Sequence, residues 1–279
     1  MTRDLRTTAP GDSGSVEASF PDGAGEPMGD GEDVTLDKLA GEWRIFQLRR
    51  GHRFSTDDLL CAWAAALTRP LAHRLLDLGA GIGSVGLMTL WKLPPEATMV
   101  MVEAQVPSHL LCRRTLAWNG LQDRVRALLG DLREPGVVPD EGTYDLITCS
   151  PPYIPLGKGA ISPNPQRAAA RLELRGTIYD YLATARRALA PEGRVAVVFA
   201  GTDPRGEDAV ARAGLRLEWR RDICFRKDRP PTITLLVAGL DVEGPPDRPE
   251  PLVVRDGDGR FTGEMMDIRR AMGSALSKE

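Results

Sequence analysis

The sequence is poor in the side chains that build disulfide frameworks and metal centres. Its 279 residues include only four cysteines and three histidines. The cysteines stand singly among apolar residues with no CxxC pair, and the histidines form no cluster. This pattern predicts buried thiols in a reducing compartment and excludes a disulfide or zinc framework, so we expect no metal site.

Long apolar runs are also missing. No stretch approaches the roughly 18 residues that a membrane span requires. The first residues, Met-Thr-Arg-Asp-Leu-Arg, have no apolar core of the kind that secretory signals carry. We therefore expect a cytoplasmic protein without a membrane anchor.

An excess of positive charge is absent as well. The chain has 36 Lys and Arg against 39 Asp and Glu, a formal net charge of -3, which excludes a generally basic nucleic-acid coat. Contact with nucleic acid would have to come from local basic patches. What is present is a hydrophobic content of 42%, enough for a sizeable core.

Composition divides the chain into four segments. Residues 1–36 are rich in Gly, Asp, Glu, Pro and Ser and are predicted to be a disordered acidic tail, with order beginning near Leu39. Residues 37–70 are predicted to form an N-terminal cap segment. Residues 71–240 would be the main domain, and residues 241–279 an extension packed on it.

Short apolar runs alternate with helical patterns along the main domain. The predicted strands are residues 73–79, 98–103, 125–129, 144–149, 194–200, 215–225 and 232–238. Helices between successive strands indicate a parallel sheet with right-handed crossovers, and the last two strands, with no helix between them, should be antiparallel. The fold class is therefore α/β, a doubly wound, seven-stranded, mainly parallel sheet with a terminal antiparallel strand. Residues 191–193 are predicted as a turn, and residues 252–255 as a short edge strand.

A glycine-rich loop follows the first of these strands. Gly81-Ile-Gly83-Ser-Val-Gly86 matches G-x-G-x-x-G, and Glu103 ends the next strand. This fits NAD, with pyrophosphate at a helix N-terminus. It equally fits S-adenosylmethionine (SAM), with the glycines admitting the methionine and ribose parts, Glu103 on the ribose hydroxyls and Asp131 facing the adenine amine.

Three features favour SAM. Asp77 precedes Gly79 in a Leu-Asp-Leu-Gly-Ala-Gly pattern, Gly130-Asp131 ends the third strand, and Ser-Pro-Pro-Tyr follows the fourth. Each of these acidic residues also has a purely structural interpretation. Asp77 could hydrogen-bond the amides of the loop, Glu103 could be a solvated carboxylate at a strand end, and Asp131 could be a turn residue. The predicted cofactor contacts are Thr56, Asp57, Asp77, Gly79, Gly81, Gly83, Glu103, Asp131 and Ser150.

The loop Ser150-Pro151-Pro152-Tyr153 is the predicted catalytic element. Two consecutive prolines cannot form a helix, so the backbone here is stiff and extended. The loop follows the carboxyl end of a strand, which is where open α/β sheets bind ligands. The Ser150 hydroxyl and the Pro151 carbonyl could accept hydrogen bonds from an exocyclic amine and free its lone pair, while Tyr153 stacks on the base. The alternative is a rigid surface turn.

Basic residues cluster near these motifs. Arg167, Arg171 and Arg175 stand at i, i+4 and i+8, which predicts one helical face. A basic cluster of this kind is often no more than a solvated surface. If these residues instead contact RNA phosphates, binding should weaken as the salt concentration rises. The predicted RNA contacts are Arg50, Arg53, Arg167, Arg171 and Lys227.

With these motifs in place the chain resembles class I SAM-dependent methyltransferases. More closely, it resembles the bacterial tRNA adenine-N6-methyltransferases that modify the adenine beside the anticodon of a valine tRNA. The resembling motifs are Gly51-His-Arg-Phe-Ser-Thr-Asp-Asp-Leu-Leu, Asp77-Leu-Gly-Ala-Gly, Ser150-Pro-Pro-Tyr153, Ala170-Arg-Leu-Glu173 and Val254-Arg-Asp-Gly-Asp-Gly-Arg-Phe-Thr-Gly-Glu. The resemblance implies a Rossmann-like fold, SAM as cofactor and tRNA as partner.

The chain departs from that family at Ser150, where the family usually has Asn. Ser-Pro-Pro-Tyr also occurs in cytosine-N4 DNA methyltransferases, although many of those have the motifs in reverse order. Methylation of an rRNA base or of a release-factor glutamine at N5 stays open. So do a dinucleotide-binding oxidoreductase and a non-catalytic RNA-binding relative.

Overall fold

The computed structural model describes residues 33–158 and 162–274. Within these ranges the strands are β1 (Val34–Ala40), β2 (Trp43–Leu48), β3 (Arg74–Leu78), β4 (Thr98–Glu103), β5 (Val125–Leu129), β6 (Tyr144–Cys149), β7 (Leu189–Ala200), β8 (Arg216–Cys224), β9 (Ile233–Gly239) and β10 (Leu252–Val253). The helices are α1 (Thr56–Thr68), α2 (Ser84–Lys92), α3 (Val106–Trp118), α4 (Pro165–Arg171), α5 (Ile178–Ala188), α6 (Arg205–Arg212) and α7 (Gly263–Ala271).

The main sheet has the order β10-β8-β9-β7-β6-β3-β4-β5. Strands β3 to β7 are parallel, while β9 is antiparallel to β7 and β8 to β9. This confirms the predicted doubly wound, mainly parallel sheet. The two-residue strand β10 adds an eighth member beside β8, at the predicted edge position. Chain order reverses between β3 and β6, and sheets of this type bind ligands outside the strand ends at that point.

The central strands are apolar because both of their faces are covered. Leu75 and Leu76 are both fully buried, yet they belong to different hydrophobic clusters, one on each side of the sheet. Successive side chains of a strand point to opposite faces, so a strand covered on both sides has no position for a solvated polar residue. This is why near-continuous apolar runs marked the strands correctly.

The predicted cap segment contains a separate hairpin of β1 and β2, followed by α1. Strand β1 already begins at Val34, before the expected start of order near Leu39, because its residues from Val34 onward pair with β2. Residues 1–32, the bulk of the predicted disordered tail, lie outside the described residues. The division into tail, cap, domain and extension remains a prediction.

The turn predicted at residues 191–193 is instead part of β7, which begins at Leu189. The pairing with β6 shifts here, since Leu189 lies opposite Tyr144 but Arg194 lies opposite Leu146. A Cβ on Gly193 would lie 2.6 Å from the Tyr144 carbonyl oxygen. Glycine thus lets the irregular segment stay against β6 instead of leaving the sheet as a turn.

The helical pattern after residue 165 breaks into α4 and α5, as expected near Gly176. Helix α4 ends at Arg171 because the chain then bridges to Ile154, whose amide donates to the Arg171 carbonyl at 3.2 Å. Arg175 lies beyond that end. The prediction that Arg167, Arg171 and Arg175 share one helical face is therefore wrong for Arg175.

We expect Gly86→Ala to destabilise the protein, although replacing glycine by alanine inside a helix usually increases stability. A Cβ on Gly86 would lie 2.6 Å from Asp77 Oδ2 and 2.8 Å from Met99 Sδ. Overpacking of this kind should lower the free energy of unfolding by about 1–3 kcal/mol in urea titrations. Gly263, which starts α7 and where an added Cβ would meet nothing within 4 Å, supplies the matched control. Equal stability of Gly86→Ala and the wild type would contradict the packing argument.

Candidate active site

A cavity of about 510 Å³ lies at the carboxyl ends of the parallel strands. This volume is within the range of small-molecule sites. The cap loop (residues 49–55, between β2 and α1) and the start of α4 close its outer side. The predicted site residues that line it are Arg50, Arg53, Asp57, Asp77, Gly79, Gly81, Glu103, Asp131, Ser150, Pro151, Pro152, Tyr153, Arg167 and Arg171.

Three predicted site residues do not line this cavity. Gly83 is the N-cap of α2, and a Cβ there would face Cys112 and Met101 in the core. Thr56 starts α1, but the neighbouring Ser55, Asp57 and Asp58 face the cavity in its place. Lys227 lies in the turn between β8 and β9, beyond β7 and away from the central strand ends.

The buried carboxylate of Asp77 connects three elements at the floor of the cavity. Its Oδ1 accepts a hydrogen bond from the Thr148 hydroxyl of β6 at 2.8 Å, and its Oδ2 accepts from the Gly86 amide of α2 at 3.1 Å. Burial raises the pKa of Asp77 to about 7. Asp77 therefore holds the glycine loop and the strand that carries Ser150 in fixed relation.

Glu103 fixes the other side of the glycine loop. Its two carboxylate oxygens accept from the Gly81 amide at 2.8 Å and from the Gln105 amide at 2.6 Å. Burial raises its pKa, although the bonds from these amides act in the opposite direction. Each oxygen retains a lone pair, and the carboxylate lines the cavity, so it can accept further donors from a ligand.

Asp131 has a partner that the sequence did not indicate. Arg133 donates to its Oδ1 at 2.9 Å and to its Oδ2 at 2.6 Å, and these bonds lower the pKa of Asp131. The carboxylate lines the cavity in its ionised form. Its contact with an adenine amine stays a prediction, for which the remaining lone pairs would serve.

The Ser-Pro-Pro-Tyr loop forms one wall of the same cavity. The Tyr153 ring packs edge-on against Phe199 at a centroid distance of 6.2 Å. The backbone carbonyl of Tyr153 accepts a hydrogen bond from the Arg205 guanidinium at 3.4 Å. Ion pairs with Asp203 and Glu173 hold Arg205 in turn. Tyr153 is thus half-buried and packs against Phe199 at the cavity wall.

Sequence reasoning missed Gln166, which joins three segments around the mouth. Its Oε1 accepts from the His52 amide of the cap loop at 3.0 Å, and its Nε2 donates to the Ser108 hydroxyl of α3 at 3.1 Å. A Cβ on Gly51 would lie 2.2 Å from that Oε1. The side chain is 4% exposed. No local pattern marks a buried glutamine of this kind, because its partners are distant in sequence.

His52 and Asp57 also face the cavity mouth. Burial lowers the pKa of His52, with Arg167 and Arg171 acting in the same direction and Asp57 opposing them. Burial raises the pKa of Asp57, and the neighbouring Asp58 adds to this. His52 was not among the predicted site residues because the three histidines form no cluster; its place in the Gly-His-Arg-Phe-Ser motif was the available signal.

The basic residues at the mouth fall into two groups. Arg53 donates to Thr35 and Asp37 of β1, each at 2.9 Å, so its guanidinium anchors the cap loop to the hairpin. Four other arginines line the cavity with exposed guanidinium groups that have no ion-pair partner among the described residues. We refer to these four as the arginine rim: Arg50, Arg167, Arg171 and Arg175.

Comparison with known proteins identifies the family. The family model described as "methyltransferase small domain" matches residues 58–206, more than half of the chain. The chain belongs to the methyltransferase small domain family. The matched residues include the glycine loop and the Ser-Pro-Pro-Tyr loop.

Relatives of this methyltransferase include several that are named tRNA1(Val) (adenine(37)-N6)-methyltransferase. The Pasteurella multocida protein is 25% identical over 232 residues, which cover 82% of this chain and 93% of that protein. The Tolumonas auensis protein is 27% identical over 231 residues, with coverages of 81% and 92%. The Aeromonas hydrophila protein is 33% identical over 147 residues, which span 52% of this chain and 58% of the relative.

Solved structures support the fold. A crystal structure described as a predicted O-methyltransferase from Agrobacterium tumefaciens superimposes with a TM-score of 0.60 at 19% identity, covering 79% of this chain and 98% of that one. The tRNA m1G37 methyltransferase of M. jannaschii gives a TM-score of 0.52 at 13% identity, with coverages of 77% and 57%. These likenesses establish the Rossmann-like methyltransferase fold.

Two features are absent from the described part of this methyltransferase. Across residues 33–158 and 162–274, no His, Cys, Asp or Glu side chains form a group of three that could hold a metal ion. In the same part of the chain, no helix combines the length and apolar character that a membrane span requires.

Asp58 is a further cavity residue that was not among the predicted site residues. Its Oδ2 accepts from the Ser55 amide and from the Ser84 hydroxyl, both at 3.1 Å. The carboxyl lies behind the glycine loop and is 6% exposed. Burial raises its pKa to about 6.

The stability difference between the wild type and Asp58→Asn should depend on pH. The folded carboxyl has a pKa of about 6 against 3.8 unfolded, so the native state binds more protons between these values. The wild type therefore loses stability as pH rises through this window, by up to about 3 kcal/mol. Asparagine does not titrate, and its carbonyl oxygen can accept both bonds. Urea titrations of both proteins at pH 4.5 and 7.5 would measure this, and an unchanged difference would contradict it.

Proposed function

We propose that the chain is a SAM-dependent N-methyltransferase that methylates an exocyclic amine, N6 of adenine in the anticodon loop of tRNA. One observation carries this proposal. The Ser-Pro-Pro-Tyr loop lies in the wall of the same cavity that Gly79, Glu103 and Asp131 line. A donor bound over the first three strand ends would thus meet an acceptor held at the fourth.

The cavity floor fits SAM better than a dinucleotide. Asp58, Asp77 and Glu103 are buried there, and none has an ion-pair partner among the described residues. A pyrophosphate would add two negative charges beside them, which is unfavourable, whereas a sulfonium adds a positive charge. Gly81 has a φ of +57°, and an added Cβ there would meet nothing within 4 Å, so its backbone is accessible to the ligand.

The residues that would hold SAM follow from the geometry. Glu103 would accept hydrogen bonds from the ribose hydroxyls, since its bonds to Gly81 and Gln105 already aim it into the cavity. Asp131 would receive the adenine amine. Gly79 and Gly81 would admit the methionine part close to the backbone. Bound there, SAM supplies an electrophilic methyl group.

The Ser-Pro-Pro-Tyr loop would prepare the amine for attack. The Ser150 hydroxyl and the Pro151 carbonyl accept hydrogen bonds from its two N–H groups and draw the nitrogen towards tetrahedral geometry. Tyr153, fixed by Phe199, stacks on the base and aligns it. Bound SAM would supply the methyl group and remain as a neutral thioether, while the loop holds the amine nitrogen in line with it, and the proton lost from the nitrogen would pass to solvent. Positioning and electrostatics supply the rate, without a covalent enzyme intermediate.

The arginine rim suits an RNA substrate. Its guanidinium groups are exposed at the mouth and have no ion-pair partner among the described residues, so they can meet backbone phosphates. Bases in a single-stranded loop can be splayed out and stacked on an aromatic ring. The names of the relatives favour tRNA and adenine N6. The free buried cysteines are consistent with a cytoplasmic location.

The reaction can be tested on nucleic acid from a strain that lacks this gene. Purified protein and SAM are incubated with tRNA, with rRNA and with a release factor, and the digests are analysed by mass spectrometry. We expect N6-methyladenosine to be gained in tRNA and to be missing from tRNA of the deletion strain. Methylation of rRNA or of glutamine alone, or none at all, would refute the tRNA assignment.

Ser150→Ala and Tyr153→Ala should separate catalysis from cofactor binding. Loss of one amine acceptor in Ser150→Ala should lower kcat by about 10²-fold or more, on the order of a single transition-state donor or acceptor. Loss of stacking in Tyr153→Ala should weaken RNA binding by about 1–3 kcal/mol. SAM affinity, measured by calorimetry, should stay within about twofold of wild type. Full turnover in both variants would show that this loop is only a surface turn.

A further inference from the structure

Tyr181 brings a hydroxyl group into the cavity from beneath the sheet. It belongs to α5, and its ring packs in the hydrophobic cluster on that face of the sheet, with a residue exposure of 7%. A Cβ on Gly79 would lie 2.3 Å from the hydroxyl oxygen, so the hydroxyl reaches the first turn of the glycine loop. Tyr181 also lines the cavity.

This hydroxyl has no hydrogen-bond partner within residues 33–158 and 162–274. The hydroxyl groups of two other tyrosines have protein partners. Tyr144 donates to the Pro139 carbonyl at 2.9 Å, and Tyr179 donates to Asp208 at 2.7 Å. Because the hydroxyl lies at the cavity wall and no described protein group is bonded to it, it is available to hydrogen-bond a ligand in the cavity.

Its position indicates which part of the cofactor it meets. Gly79 follows β3, which lies between β4, ending at Glu103, and β6, which runs into Ser150. Glu103 is assigned to the ribose, and Ser150 to the amine that receives the methyl group. The sulfonium and its methyl group would lie between these two points. The Tyr181 hydroxyl lies against Gly79, and Gly79 and Gly81 are the residues assigned to the methionine part of SAM, so the hydroxyl would meet the amino acid end of the cofactor.

We propose that the Tyr181 hydroxyl hydrogen-bonds the amino acid part of bound SAM and is a cofactor-binding residue. This inference rests on the proposed function, because it takes SAM as the ligand. Burial keeps the phenol protonated by raising its pKa, and Glu103 acts in the same direction. The group can therefore donate to the carboxylate of SAM or accept from its ammonium group.

Tyr181→Phe tests the inference with little disturbance, because the ring remains and only an unpartnered oxygen is removed. Calorimetry should give a Kd for SAM that is raised about tenfold, as expected for loss of a hydrogen bond to a charged group. The Kd for methylthioadenosine, which lacks the amino acid part, should not change. Stability in urea should stay at the wild-type value or rise.

Tyr179→Phe is the matched control. It removes a hydroxyl that bonds Asp208 away from the cavity, so the Kd for SAM should stay at the wild-type value. Unchanged SAM affinity in Tyr181→Phe, with a wild type that binds SAM, would overturn the inference. Equal weakening of SAM and methylthioadenosine would overturn the assignment to the amino acid part. A wild type that binds no SAM would instead refute the proposed function itself.

Discussion

The site depends on one buried carboxylate, that of Asp77. It receives the Gly86 amide from the helix after the glycine loop and the Thr148 hydroxyl from the strand that leads to the Ser-Pro-Pro-Tyr loop. The two loops are far apart in sequence, yet a single side chain sets their spacing. A carboxylate suits this position because it accepts from two directions at once, and glycine at position 86 leaves room for it. The cost of burying Asp77 is visible in its raised pKa.

A second set of contacts forms the mouth of the cavity from segments outside the main sheet. Gln166 holds the cap loop through the His52 amide and α3 through Ser108, while Arg53 ties the same loop to the hairpin through Asp37. The cap segment is therefore part of the cavity wall and not an appendage. It also brings arginines from two separate regions of the chain to one opening, where they face solvent together.

The sequence was sufficient to predict features that depend on residues close together in the chain. Apolar runs identified the central strands because both faces of the sheet are covered, and the residues at their carboxyl ends lead directly into the cavity. Contacts between segments that are distant in sequence could not be predicted. In the sequence Gln166 looks like an ordinary polar residue and Tyr181 like an ordinary core aromatic residue, and only the fold shows which groups they contact. Arg53 and Lys227 were grouped with the arginine rim by charge alone, but charge does not reveal a partner such as Asp37 or a position beyond β7. Helical spacing failed at Arg175 for a related reason, since a bridge to Ile154 ends the helix first.

In the proposed function the buried carboxyl groups of Asp58, Asp77 and Glu103 would lie beneath bound SAM. Methyl transfer converts a sulfonium into a neutral thioether, so the reaction itself removes the charge that these groups attract. The spent cofactor should therefore bind less tightly than the fresh one.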